Sequence, residues 1–240
     1  MILSAINDEI CNDFTNQINI LKKNNISHIE LRKINNKNLW ELNDEELLLI
    51  SNMLAKENIK VSVIDSPIGK HGIPNIDNYI KLAKLTSCKY IRIFYNNNLS
   101  KLNKIAEKNK ITFLIENERN IEPENLLEIN SNVKKYRNIK LLLDLENLYT
   151  CGYNISDILS KTIQNIRCIH VRNIKKNKYV GLINGEIDYH SIFNYLKFNN
   201  YNGFVSAEFH FPLNNDAANN EKKFIDSIME LINILKEREL

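Results

Sequence analysis

Glycine and proline are scarce in this chain, at 6 and 4 of 240 residues. No linker, low-complexity tract or domain boundary is visible. The segment after the first apolar run, "AINDEI", has no glycine, which excludes the Gly-rich phosphate turn of a dinucleotide fold. The 4 cysteines (Cys11, Cys88, Cys151, Cys168) are scattered and form no CxxC pair. They exclude a disulfide frame or a cysteine zinc site and suit reduced, mostly buried thiols of a cytoplasmic protein. An excess of one charge is also missing: 32 basic against 29 acidic residues leave +3, which demands neither nucleic acid nor a membrane as partner. No apolar run approaches the roughly 20 residues of a membrane span. The opening "MILSAINDEI" meets charge too early for a signal peptide.

What the chain does have is a regular alternation. Apolar runs of strand length stand at 2–6, 28–32, 60–65, 90–95, 111–116, 139–144, 166–171 and 203–208. Between them lie polar stretches with helical spacing, as in "DEELLLISNMLAKEN" (44–58), "NYIKLAKLT" (78–86) and "EKKFIDSIMELINILKE" (221–237). The stretch after Asp144 is the weakest helix, interrupted by Gly152. Eight such units predict a parallel α/β protein, and their number and total length favour one closed (β/α)8 TIM barrel over residues 1–240.

In a barrel of this kind chemistry sits at the C-terminal ends of the strands. The last four apolar runs each close on a metal-capable side chain: Glu116 in "FLIENE", Asp144 in "LLLDLEN", His170 in "IHVRN" and Glu208 in "VSAEFH". Glu118 shares a face with Glu116 one step further out. Converging buried carboxylates need a compensating charge, and a divalent cation supplies it. Three carboxylates and one imidazole suit a single Mn, Mg, Co or Zn ion with open positions for substrate oxygens.

These four residues, with "LIEN" (114–117), "HIELR" (28–32), "SPIGK" (66–70) and the segment 184–208 that runs from "NGEIDYH" into the last strand, resemble the xylose isomerase-like TIM barrels. That group holds sugar phosphate isomerases, epimerases and AP endonucleases. The resemblance implies Glu116, Asp144, His170 and Glu208 as metal ligands. It further implies Glu116 and Glu208 as the acid–base pair that moves a proton through a metal-stabilised enediolate. Asn147 stands where many members carry a histidine, Lys176 where some ketose epimerases carry an arginine, and Asn173 where an aspartate often follows the histidine. The AP-endonuclease branch needs more histidines in its own pattern than this chain offers.

Basic side chains recur around the same rim. Arg32 closes the second run, Lys70 follows the third, Arg92 lies in the fourth, and Arg172 shares a face with His170. Glu30 shares a face with Arg32. A guanidinium suits two-pronged contact with a phosphate or carboxylate, and it serves equally to hold the ligand carboxylates in place. The expected substrate contacts are therefore Arg32, Glu30, Lys70, Asn147, Arg172 and Lys176, with Arg172 and Arg32 foremost for an anion. The only tryptophan, Trp40, lines a sugar pocket or packs under its loop. The expected activity is isomerisation or epimerisation of a sugar, sugar phosphate or small hydroxy-oxo acid. A keto-inositol dehydratase, an AP-site phosphodiesterase and a non-catalytic sugar-binding barrel are the alternatives. The expected partner is a small anionic or neutral sugar-like molecule, with a homodimer open as the assembly.

Overall fold

The computed structural model describes residues 1–69, 76–96, 98–119, 123–211 and 217–236. Eight parallel strands form its centre: β1 (Ile2–Ala5), β2 (His28–Leu31), β3 (Lys60–Asp65), β4 (Tyr90–Phe94), β5 (Thr112–Glu116), β6 (Ile139–Asp144), β7 (Ile166–Val171) and β8 (Phe204–Ala207). Each pairs with its neighbour in the chain from β2 to β8, and β8 pairs with β1. The remaining gap between β1 and β2 is spanned by one parallel bridge, Ile6 to Glu30. The result is the expected TIM barrel, nearly closed. Strand limits fall within one residue of the apolar runs, because each strand ends close to where apolar side chains give way to polar or charged ones.

The helices wrap outside: α1 (Phe14–Lys23), α2 (Asp44–Lys56), α3 (Ile76–Leu85), α4 (Leu99–Asn109), α5 (Pro123–Val133), α6 (Leu145–Thr150), α7 (Ile155–Thr162), α8 (Tyr189–Phe198) and α9 (Ala217–Lys236). The start of α2 is a capping box: Asn43 accepts from the Glu46 N–H at 2.9 Å, and Glu46 accepts from the Asn43 N–H at 2.9 Å. Leu47, Ile50 and Leu54 then face the barrel, fully buried or nearly so. The weak helix after Asp144 is two short ones. Gly152 separates them with φ +78°, the left-handed region where a side chain is disfavoured. No helix among the described residues is long and apolar enough to cross a membrane.

Strand alternation sends Phe113, Ile115, Leu141, Leu143, Ile169 and Val171 outward to the helices, where they join the main core. The inward positions stack in layers. Midway along the strands, Val63, Leu114, Leu142 and Cys168 form a small apolar plug at 0% exposure, with Tyr90 and Phe204 packed against it. One inward step further along the same strands come Glu116, Asp144 and His170; Asp144 pairs with His170 across the sheet, while Glu116 pairs with Leu142, one inward position below Asp144. The barrel delivers charge to its C-terminal mouth.

Candidate metal centre

Glu116, Asp144, His170 and Glu208 meet at one place in the mouth, all buried, with one donor atom from each lying within 4.8 Å of the others. His170 shows how the cluster is aimed. Its Nε2 donates to Oε1 of Glu30 at 2.8 Å. Its Nδ1 lies 3.4 Å from Glu116 Oε1 and 3.2 Å from Glu208 Oε2, and it has no hydrogen-bond partner. A buried ring nitrogen without a partner, directed between two carboxylates, is the arrangement a cation completes. The donor set fits a divalent ion. Asp144 divides its work: Oδ1 accepts from the Asn147 N–H at 3.0 Å and so caps α6, while Oδ2 is paired with Arg172.

Around the four donors stands a ring of arginines. Arg172, nearly buried, reaches Asp144 Oδ2 at 2.5 Å, Glu146 Oε2 at 2.8 Å, Asn147 Oδ1 at 3.0 Å and also Glu208. Arg32 donates to Glu208 Oε1 at 2.9 Å and to Asp8 and Glu9. Arg92 lies 3.3 Å from Glu116 and 3.2 Å from Asp65, with its guanidinium 4.6 Å above the Phe94 ring. Every carboxylate of the four-residue cluster therefore has a guanidinium against it.

The buried charges shift one another. Burial alone would raise Glu208, but Arg172 and then His170 hold it well below the usual carboxylate range. Burial would lower His170, and the carboxylates of Glu30 and Glu208 reverse this and hold it well above the usual imidazole value. For Asp144 burial prevails over Arg172 and pushes the carboxyl up to about 7. Asp65 behaves likewise, pushed up to about 7 by burial against the pull of Arg92.

Above the cluster opens a cavity of about 540 Å³. Three of the expected substrate contacts, Arg32, Asn147 and Arg172, line it. Glu30 does not: it is 0% exposed beneath His170, and its place is support of that ring. Lys176 is not brought to the cavity either. It sits exposed in the turn of a hairpin formed by Asn173–Lys175 and Lys178–Val180, which carries it outward. Lys70 lies outside the described residues. Asn173, buried, organises this same loop: it donates to the carbonyls of Leu182 and Ile187 and accepts from the N–H groups of Ile174 and Ile187. Trp40 is half-buried against the core, away from the cavity.

The structure adds residues that the sequence reading passed over. Arg119, with 47% of its side chain exposed, bonds Glu146 at 2.6 Å, Asn147 at 3.0 Å and the Tyr179 hydroxyl at 2.9 Å. His210 takes a left-handed backbone with φ 53°. Both its N–H and its Nδ1 are bound by Glu9 at 2.8 Å, and its ring meets Tyr179 edge-on at 5.3 Å. For His210 a signal was present, since it stands two residues after Glu208, and for the buried Asp65 likewise, since it closes the third strand as the four clustered donors close later ones.

With this geometry the chain can be compared with known proteins. No curated protein sequence matches it. Its fold is that of a crystal structure of a probable 3-DHS dehydratase, AsbF, involved in petrobactin synthesis in Bacillus anthracis, at TM-score 0.77 and 17% identity over 100% of both chains. It is also that of the IOLI protein with a bound zinc atom, at TM-score 0.79 and 17% identity over 98% of both chains. A D-psicose 3-epimerase crystallised in the presence of D-fructose gives TM-score 0.77 and 15% identity, covering 99% of this chain and 100% of the other. A family model described as xylose isomerase-like TIM barrel matches residues 18–234. The chain belongs to the xylose isomerase-like TIM barrel family.

Proposed function

We propose that this protein is a divalent-metal-dependent isomerase or epimerase of a sugar-like carbonyl compound. The observation that carries the reading is the buried four-donor cluster, in which the unpartnered Nδ1 of His170 faces two glutamates at the base of the cavity. A divalent ion, when bound by Glu116, Asp144, His170 and Glu208, supplies Lewis-acid stabilisation for negative charge developing on a substrate oxygen.

The proton is moved by the chain's own groups. Glu116 and Glu208 reach the cavity from β5 and from the end of β8, so a carbon beside a carbonyl meets a carboxylate on two sides. Glu116 has one guanidinium against it, and Glu208 has two. The first proton removal is therefore assigned to Glu116, whose oxygens are less committed, and Glu208 faces the other side of the same carbon. Asn147, Arg119, Tyr179 and His210 border the outer cavity and would orient substrate hydroxyls. Arg172 and Arg32 are each engaged by several carboxylates, whereas Arg119 pairs with one carboxylate among the described residues, Glu146, and is half-exposed, so an acidic group on the substrate would meet Arg119 first.

The test is the metal content of the purified protein together with a screen for solvent deuterium exchange over aldoses, ketoses and their phosphates. The expected result is about one divalent ion per chain and exchange at the carbon beside the carbonyl that chelation abolishes. A protein free of metal under metal-replete conditions, inactive on the whole panel, overturns the proposal.

A further inference from the structure

We infer that Glu30 is a positioning residue that dictates which nitrogen of His170 is offered to the cation, an inference that rests on the metal centre proposed above. Glu30 is 0% exposed and does not border the cavity, so it touches neither solvent nor substrate. A carboxylate buried this completely is costly, and an apolar residue would fill the same space without that cost. Its partner explains it. An ionised carboxylate only accepts hydrogen bonds, so the 2.8 Å contact with Nε2 requires Nε2 to carry the hydrogen. Nδ1 is then the nitrogen left facing Glu116 and Glu208.

The backbone around Glu30 is arranged to hold this contact. β3 carries one extra residue, Ser62, against β2 between Ile29 and Glu30, a bulge that redirects the side chains beside it. The Ser62 hydroxyl bonds the Ile29 carbonyl at 3.1 Å and the Ser4 hydroxyl at 2.6 Å, tying β1, β2 and β3 together under Glu30. Glu30 itself forms the single bridge that spans β1 and β2. From this seam its side chain crosses the barrel interior to β7, which is separated from β2 by β1 and β8. Among the described residues the other ring nitrogen has no hydrogen-bond partner, so the contact with Glu30 is what orients the imidazole.

A merely structural brace and a positioning residue differ in what survives the change to glutamine. Glu30→Gln preserves shape and a hydrogen bond across the barrel. It removes the charge, and its amide N–H also allows the opposite tautomer of His170. The experiment is titration of the metal-free full-length chain with cobalt(II), reading the dissociation constant and the visible d–d spectrum, with thermal melts in parallel. The expected result for Glu30→Gln is a dissociation constant raised about 10- to 100-fold and an altered spectrum, in a protein that still melts cooperatively. Glu30→Asp, which keeps the charge but withdraws it by one methylene, is expected to weaken binding in the same direction. It decides the matter if the glutamine variant does not fold. Cobalt affinity within two-fold of the parent with an unchanged spectrum, in either folded variant, overturns the inference while leaving the metal centre standing. A parent chain that binds no cobalt removes both together.

Discussion

Two inward layers of one barrel, a single side-chain step apart on the same strands, are built on opposite principles. Leu114, Leu142 and Cys168 form the lower one, and Glu116, Asp144 and His170 stand directly above them. Both layers are buried. In the lower, each apolar side chain contributes about 1.5–3 kcal/mol by leaving water. In the upper, burial opposes the charged groups, and they are tolerated because arginines, Glu30 and each other surround them. The lower layer stabilises the barrel; the upper one is held in place by it and carries the proposed chemistry.

That division can be broken at either layer. The largest expected effect comes from above: Glu116→Gln lowers the rate of proton exchange about 10²- to 10⁴-fold, measured by deuterium incorporation, in a chain that still folds. From below, Leu142→Ala costs about 2–5 kcal/mol of stability by leaving a cavity, read by urea denaturation. Its cobalt affinity is expected to stay close to that of the parent. If Leu142→Ala weakens cobalt binding as much as it weakens folding, the layers are not separable.

A finer test uses pH. Asp65 is pushed up to about 7 in the folded metal-free protein, against 3.8 for the free side chain. The folded state therefore keeps a proton there that the unfolded chain has lost. Asp65's contribution is fully present below about pH 4 and disappears as pH rises to about 7, with a slope no steeper than about 1.4 kcal/mol per pH unit. Asp65→Asn is expected to flatten that part of the stability–pH profile, measured on metal-free protein. Smallest of all, Lys176→Ala is expected to change stability by less than about 0.5 kcal/mol and exchange rates by less than two-fold. A larger change in either would place the hairpin turn within the working site.

The convergence of the four proposed donors was legible in the sequence because each ends an apolar run at an inward position, and strand alternation turns that pattern into a common face. The barrel was legible from the same runs. Glu30 was legible as inward-facing but not as sitting below the mouth, since its depth depends on a bulge in a different strand and on a partner 140 residues away. Lys176 failed for a related reason. Its count from His170 matches a family position, but the hairpin between them leads the chain away from the cavity. The arginines were seen as candidate anion contacts or carboxylate partners. Only three-dimensional distances show how fully Arg32 and Arg172 are taken up by the second role.

The cap of α6 has a consequence for the mobility of the cluster. Asp144 gives Oδ1 to the helix and Oδ2 to Arg172. Turning this carboxylate would release the first turn of α6 and with it the Asn147 side chain, which accepts from both Arg119 and Arg172. One proposed donor and the residues that border the outer cavity are thus tied to a single helix end, and uncapping α6 would loosen both.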